Sequence, residues 1–134
     1  MRKRSSLAGR QARILIVDDE RPNRTLLEVM LEPEGYLLRS AENGDEALTM
    51  IAEFVPDLVL LDVMMPGMNG YVVTSKIKEN PATAHVPVVL LSSLDDRNSK
   101  AHGLGAGADA FLAKPIGRAD LCAQVRLLLG GGQK

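Results

Sequence analysis

The sequence has few cysteine, histidine and aromatic residues, and it lacks a long apolar run. Its single cysteine, Cys122, cannot form an intramolecular disulfide, and only two histidines in 134 residues disfavour a zinc site. No apolar run approaches the roughly 18 residues that a transmembrane helix needs. The N-terminal segment MRKRSSLAGRQAR lacks the apolar stretch of a secretory signal. Together these absences favour a cytoplasmic protein with no membrane attachment.

Charge is distributed unevenly along the chain, although the net charge is only −1. Residues 1–13 carry five basic side chains and no acidic one, which leaves 11 of the 16 basic residues to balance all 17 acidic residues. The acidic body argues against direct binding of nucleic acid. We expect residues 1–12 to form a flexible basic tail and residues 130–134 to form a flexible tail or linker stub. The remainder is long enough for one globular domain with its own core.

Apolar residues alternate between short solid runs and longer segments with helical spacing. The short runs, rich in Val, Ile and Leu, are typical of strands buried on both faces of a parallel sheet. They cover residues 14–17, 58–61, 88–91 and 110–113, with a weaker run at 36–38. Helical spacing covers residues 22–32, 44–54, 71–78, 97–106 and 118–129. This order predicts a doubly wound α/β domain, in which helices cover both faces of a five-stranded parallel sheet.

Polar residues follow the predicted strands at the points where the strands end. Asp18 and Asp19 follow the first strand, Asp62 the third, Ser92 the fourth and Lys114 the fifth. Ligands of doubly wound sheets bind at the carboxyl ends of the strands, so we expect these side chains to share one site. Each residue alone has an ordinary explanation, such as a helix cap or a loop hydroxyl. Their joint placement after four different strands is what favours a functional site.

Three carboxylates at one edge of a sheet need a cation between them. Two carboxylates about 5 Å apart repel by roughly 3 kcal/mol at an effective dielectric near 20. Because all the ligands are oxygen atoms, we expect a hard ion, Mg²⁺ or Mn²⁺. Lys114 and Ser92 suit phosphoryl oxygens, and the Asp62 carboxylate is a candidate nucleophile that becomes an acyl phosphate. The sequence therefore predicts phosphoryl transfer at this edge.

Four motifs resemble those of the receiver domain of two-component response regulators, which include the chemotaxis receivers. They are ILIVDDE, DLVLLDVMMPGMNG, VPVVLLSS and GADAFLAKP, and the resemblance extends over residues 13–129. It implies a flavodoxin-like (βα)5 fold with strand order 2-1-3-4-5 for a receiver domain with these bounds. It also implies a phosphoacceptor regulator, which catalyses its own phosphorylation and dephosphorylation but does not turn over a separate substrate.

The resemblance assigns roles to the acidic residues of the predicted site. Asp62 stands at the position of the phosphoacceptor aspartate. Asp18 and Asp19 stand at the positions of the acidic pair, which binds Mg²⁺ together with the phosphoacceptor. The backbone carbonyl of Met64, two residues after Asp62, corresponds to the family's remaining protein ligand. The resemblance thus implies a magnesium site made entirely of oxygen ligands.

A lysine, a hydroxyl residue and an aromatic residue complete the family pattern. Lys114 stands at the position of the family's lysine, and its peptide bond to Pro115 is expected to be cis. Ser92 stands where the family has Thr or Ser, and Phe111 stands at the position of the switch aromatic. In the family's switching scheme, phosphorylation draws Ser92 inward and Phe111 fills the vacated space. The surface of the fourth helix, fifth strand and fifth helix then changes.

The resemblance also implies partners. A histidine kinase or a phosphotransfer protein donates the phosphoryl group, and the changed surface regulates a downstream protein or an attached output domain. Whether the chain forms a homodimer through the same surface stays open. Two alternatives within the family stay open as well: an interaction platform that does not switch, and the receiver fragment of a cyclic-di-GMP signalling enzyme.

Two other classes of protein use similar residues but match this sequence less well. A phosphatase of the haloacid dehalogenase type needs a second aspartate two residues after its nucleophile, where this chain has Met64. A flavodoxin-type cofactor binder needs a phosphate-binding loop after the first strand, where Asp18 and Asp19 would repel the FMN phosphate. We therefore predict a receiver domain rather than either of these.

Overall fold

A computed structural model of the chain describes residues 11–93 and 106–131. The strands are β1 (Arg13–Val17), β2 (Leu37–Ala41), β3 (Leu58–Asp62), β4 (Val88–Ser92) and β5 (Ala110–Ala113). The helices are α1 (Arg21–Leu31), α2 (Gly44–Phe54), α3 (Gly70–Glu79) and a C-terminal helix (Arg118–Arg126), and a 3₁₀ turn (Glu32–Glu34) follows α1. None of the helices in this described part has both the length and the apolar character to cross a lipid bilayer.

The five strands form one parallel sheet with the order β2-β1-β3-β4-β5, which confirms the predicted doubly wound fold. β3 and β4 are buried along their whole length because they lie inside the sheet, with side chains packed on both faces. Successive residues of β1 face opposite sides of the sheet. Ile14 and Ile16 therefore belong to one apolar cluster, whereas Leu15 and Val17 belong to the other.

Each helix covers one of these two apolar clusters with a buried stripe of side chains. The cluster on one face contains Leu27 and Leu31 of α1 and Leu121 and Val125 of the C-terminal helix. The cluster on the other face contains Ala47 and Ile51 of α2 and Val73 and Ile77 of α3. Because helices cover both faces of the sheet, a site can form at the loops that follow the carboxyl ends of the strands.

One strand and one helix differ from the prediction, and one predicted helix is not tested. β2 extends to Ala41 rather than ending at residue 38, because an edge strand with alternating exposure accepts polar residues that interrupt the apolar run. The predicted last helix, 118–129, is α-helical only to Arg126. It continues as a π-helical segment, Leu127–Gly131, in which Gly130 adopts the left-handed region with φ of 94°. The predicted fourth helix, 97–106, lies outside the described residues except for Ala106, which is in a turn.

Most of the two predicted tails also lies outside the described residues, since these begin at residue 11 and end at residue 131. The last two residues of the predicted N-terminal tail contact the domain, Ala12 as a buried residue and Gln11 through an exposed hydrogen bond. Ala12 is 1% exposed, and its carbonyl accepts a hydrogen bond from the Leu37 N–H at 2.8 Å. The Gln11 side chain donates to the Gly35 carbonyl at 2.8 Å. The packed chain therefore begins before residue 13.

Candidate functional site

The fold brings the predicted site residues to one edge of the sheet. Asp18 follows the last residue of β1, Asp62 ends β3 and Ser92 ends β4. Lys114 follows the last residue of β5, and its backbone N–H donates to the Ser92 carbonyl at 2.7 Å. The strand register pairs Asp62 with Leu91, the residue before Ser92. The site therefore draws its residues from four neighbouring strands, β1, β3, β4 and β5.

Three carboxylates form an acidic cluster at this edge. One oxygen atom from each of Asp18, Asp19 and Asp62 lies within 4.8 Å of the other two. Asp18 and Asp62 are buried, with 1% and 4% exposure, whereas Asp19 is exposed. Placing two buried like charges side by side is unfavourable unless a positive group accompanies them. The lysine that follows β5 supplies part of that positive charge.

Lys114 lies against two of the three carboxylates. Its Nζ donates to Oδ1 of Asp62 at 2.8 Å and lies 3.6 Å from Oδ2 of Asp18. One ammonium faces three carboxylates, so the cluster keeps an excess of negative charge. Within the described residues, the buried Oδ2 of Asp18 has no hydrogen-bond partner. This buried oxygen also lies beside two further carboxylates. It is therefore a suitable ligand for a hard divalent cation, which prefers oxygen ligands.

Burial and the neighbouring charges shift the pKa of both partners in the ion pair. Burial raises the pKa of Asp62 above its ordinary 3.8; the hydrogen bond from Lys114 opposes burial, while the charges of Asp18 and Asp19 add to it. Burial by itself lowers the pKa of Lys114, but the hydrogen bond to Asp62 and the charges of Asp62 and Asp18 outweigh burial, so this pKa is raised. Burial is thus the main cause of the raised pKa of Asp62, whereas the neighbouring carboxylates are the cause of the raised pKa of Lys114.

The other predicted residues lie around this cluster. Ser92 is buried at the end of β4. Phe111, in β5, is half-buried and packs against the apolar cluster beneath α2 and α3. Met64 lies in the loop after β3 with its side chain 59% exposed, and the peptide bond between Lys114 and Pro115 is cis. The roles of Ser92 and Phe111 in a switch stay predictions.

Two residues that the sequence analysis did not assign to the site contact its backbone. Arg24, in α1, reaches back along the chain, and its Nη1 donates to the Asp18 carbonyl at 2.7 Å. Gly70, the first residue of α3, packs directly against the end of β3, and its N–H donates to the Val63 carbonyl at 3.0 Å. Gly70 ends the motif DLVLLDVMMPGMNG but was given no role there, and Arg24 lies outside all four motifs. The sequence does contain a signal for Arg24. It lies six residues after Asp18, about one turn into the following helix, from where its side chain can reach back to the end of β1.

We expect Gly70→Ala to disturb the backbone that carries Asp62. The new Cβ would lie 2.6 Å from the Asp62 carbonyl oxygen and 2.9 Å from Cα of Val63, so the backbone must move. Overpacking of this kind costs about 1–3 kcal/mol of unfolding free energy, which is measured by denaturant titration. Gly117→Ala is the matched control, since its Cβ would meet nothing closer than the Asp120 carboxylate at 3.9 Å. Equal stability of the two variants would contradict the close approach at Gly70.

The sequence matches the family model of the response regulator receiver domain over residues 14–126. It is 50% identical over 117 residues to the response regulator PleD of Caulobacter vibrioides, covering 87% of this chain and 26% of PleD. It is 35% identical over 120 residues to protein PilH of Pseudomonas aeruginosa, covering 90% of this chain and 99% of PilH. The chain therefore spans about a quarter of PleD but nearly all of PilH.

A solved structure with a similar fold is the signal receiver domain of a signal transduction histidine kinase from Syntrophus aciditrophicus. The two chains superpose with a TM-score of 0.84 at 36% identity, over 92% of this chain and 93% of the other. The residues matched by the family model include the acidic cluster, Ser92 and Lys114. Sequence, fold and the location of the site thus point to one family.

Proposed function

This chain belongs to the response regulator receiver domain family, and from that premise we propose that Asp62 accepts a phosphoryl group. Receiver domains are phosphoacceptors rather than enzymes with a separate substrate, and the family binds Mg²⁺ at its acidic pocket. The observation that carries the proposal is the environment of Asp62. This carboxylate is buried, hydrogen-bonded to Lys114 and within 4.8 Å of two further carboxylates. Such surroundings combine a nucleophile with the charges that phosphoryl transfer needs.

In the proposed reaction, a carboxylate oxygen of Asp62 attacks the phosphorus atom of the donor. A bond forms between this oxygen and phosphorus, the bond between phosphorus and the donor's leaving atom breaks, and the leaving group departs with the electron pair. Lys114 donates to a phosphoryl oxygen and offsets its negative charge. We assign the Ser92 hydroxyl to a second phosphoryl oxygen. Because these residues belong to the chain itself, we propose that the domain catalyses its own phosphorylation and dephosphorylation.

The proposed ligands of Mg²⁺, or of Mn²⁺ in its place, are Asp18, Asp19, Asp62 and the backbone carbonyl of Met64. The support for the three carboxylates is the buried Oδ2 of Asp18, which has no hydrogen-bond partner among the described residues, and the mutual distances within the acidic cluster. The Met64 carbonyl is proposed from the family resemblance alone. When bound, the ion supplies positive charge that offsets the carboxylates and the phosphoryl oxygens. Asp18 and Asp62 are held by the ends of two adjacent strands, so the site needs little rearrangement to take the ion.

We propose that the phosphoryl donor is a histidine kinase or a phosphotransfer protein. Phosphorylation then changes the surface of the predicted fourth helix, β5 and the C-terminal helix through Ser92 and Phe111. The target is a downstream protein or an attached output domain. A homodimer through this surface, a platform that does not switch and a receiver fragment of a cyclic-di-GMP signalling enzyme remain alternatives to be tested. We keep 13–129 as the proposed bounds of the receiver, with Ala12 packed into its core as well.

Mg²⁺ is expected to raise the melting temperature of the wild-type chain by several degrees. A ligand present at about 100 times its dissociation constant adds about 2.7 kcal/mol to the free energy of unfolding. Asp19→Asn removes an exposed carboxylate of the cluster, so this variant is expected to lose most of the rise. Asp45→Asn, an exposed aspartate of α2 outside the cluster, should keep it. Differential scanning calorimetry with Mg²⁺ and with EDTA makes the comparison, and equal responses from all three proteins would refute the metal site.

A further inference from the structure

Arg24 connects α1 to the turn that carries two of the proposed metal ligands. Its Nη1 donates to the backbone carbonyl of Asp18 at 2.7 Å, and the bond is partly buried. A guanidinium donor makes this a charge-assisted hydrogen bond, which is shorter and stronger than a bond between neutral groups. The Asp18 carbonyl lies one residue beyond Val17, the last residue of β1 in register with β2 and β3. Arg24 therefore holds a carbonyl at the point where the sheet ladder stops.

The turn is fixed at Asp18 by three separate bonds. The Asp18 N–H donates to the Ala41 carbonyl at 3.2 Å, and Oδ1 of Asp18 accepts from the Glu20 N–H at 2.9 Å. These two bonds hold the nitrogen and the side chain of Asp18. The bond from Arg24 holds the carbonyl, and thereby the orientation of the peptide unit that leads into Asp19.

Asp19 differs from the other two aspartates because its side chain is exposed, whereas Asp18 and Asp62 are buried. Surrounding side chains fix a buried carboxylate, but the direction of an exposed one depends mainly on its backbone. A rotation of the peptide between Asp18 and Asp19 would turn the Asp19 carboxylate away from the cluster. The same rotation would break the hydrogen bond from Arg24.

We propose that Arg24 is a positioning residue, which holds the peptide before Asp19 so that its carboxylate faces the other two. This inference rests on the proposed Mg²⁺ site. The inference predicts a change in Mg²⁺ affinity opposite in direction to the change expected if Arg24 acted only through its charge. Removing a nearby positive charge would by itself strengthen cation binding, whereas losing the orientation of Asp19 weakens it. Partners that orient metal ligands change metal affinity by about 10–100-fold when they are replaced.

The test measures the Mg²⁺ dissociation constant of the full chain by isothermal titration calorimetry. Arg24→Gln is expected to raise this constant about tenfold. Arg24→Lys, which keeps the charge and one donor group, is expected to lie between Arg24→Gln and the wild type. Arg21→Gln is the matched control, because Arg21 is an exposed arginine of the same helix and its replacement removes the same charge. It should bind Mg²⁺ as tightly as the wild type or slightly more tightly.

A second measurement separates positioning from a general loss of structure. Phosphorylation by acetyl phosphate is followed against Mg²⁺ concentration. For Arg24→Gln, the half-saturating Mg²⁺ concentration should rise while the rate at saturating Mg²⁺ stays within about twofold of the wild type. If Arg24→Gln and Arg21→Gln bind Mg²⁺ equally well, or if Arg24→Gln binds more tightly than the wild type, the inference is wrong. If the wild type itself binds no Mg²⁺ or takes no phosphate, it is the proposed function that fails.

Discussion

Lys114→Met is expected to slow the phosphorylation of Asp62 by acetyl phosphate by about 100-fold, because removing one preorganised donor to a developing negative charge costs about that much. Lys114 Nζ lies 2.8 Å from Oδ1 of Asp62, so it is within reach of a phosphoryl group attached there. Methionine keeps the length and apolar stem of the side chain but removes the charge and the donors. The rate is measured by quenching the reaction at intervals and recording intact mass.

The same substitution is expected to strengthen the binding of Mg²⁺. Lys114 is the ammonium that offsets Asp62 and Asp18, and without it the acidic cluster holds more uncompensated negative charge. Slower phosphorylation together with tighter Mg²⁺ binding would separate a role in catalysis from a folding defect, which would weaken both. Lys76→Met, at an exposed lysine of α3, is the control and should change neither property. An unchanged phosphorylation rate in Lys114→Met would contradict the role assigned to the lysine.

Asp62→Asn is expected to raise the free energy of unfolding in EDTA at neutral pH, as measured by denaturant titration. Burial raises the pKa of Asp62, and the neighbouring carboxylates raise it further, so the charged form costs free energy in the folded state. Asparagine fills nearly the same volume without the charge. In excess Mg²⁺ the difference in unfolding free energy between Asp62→Asn and the wild type should shrink or reverse, because the wild type then gains the free energy of binding the ion.

The pH dependence of this difference follows from the direction of the pKa shift. The folded-state pKa of Asp62 lies above the unfolded value, so the destabilising charge is fully present above the folded pKa. As the pH falls through the folded pKa towards the ordinary value of 3.8, Asp62 takes up a proton. The wild type then regains the stability that the charged carboxylate had cost it. The two melting temperatures should therefore converge in acid. A difference in melting temperature between Asp62→Asn and the wild type that stays constant with pH would contradict the account.

The interior of the fold was predictable because central parallel strands carry a simple signal. β3 and β4 are buried on both faces, so each reads as an uninterrupted apolar run with a polar residue at its end. Asp62 and Ser92 are the last residues of these two parallel strands, so both lie at the carboxyl edge of the sheet. β2 was located less well because an edge strand alternates between exposed and covered positions, and Arg39 and Ser40 break its apolar pattern.

The supporting contacts of the site were not predictable from residue types. The hydrogen bond from Arg24 to the Asp18 carbonyl depends on how α1 leaves the sheet, and an arginine in a helix is usually an exposed, solvated residue. The close approach of Gly70 to Asp62 depends on where α3 begins against β3. The direction of the Asp62 pKa shift likewise depends on the burial of this carboxylate, and then on the positions of the charged groups around it. Motifs therefore indicated which residues meet, whereas the structure indicates what holds them in place.

The most direct test of the phosphoacceptor assignment is the intact mass of the chain after incubation with acetyl phosphate and Mg²⁺. The wild type is expected to gain one phosphoryl group, an increase of about 80 Da, and to gain nothing when EDTA replaces Mg²⁺. Asp62→Asn is expected to gain nothing under either condition, whereas Asp45→Asn should behave as the wild type. A wild type that binds Mg²⁺ but takes no phosphate, or an Asp62→Asn variant that is phosphorylated to the same extent, would contradict the assignment.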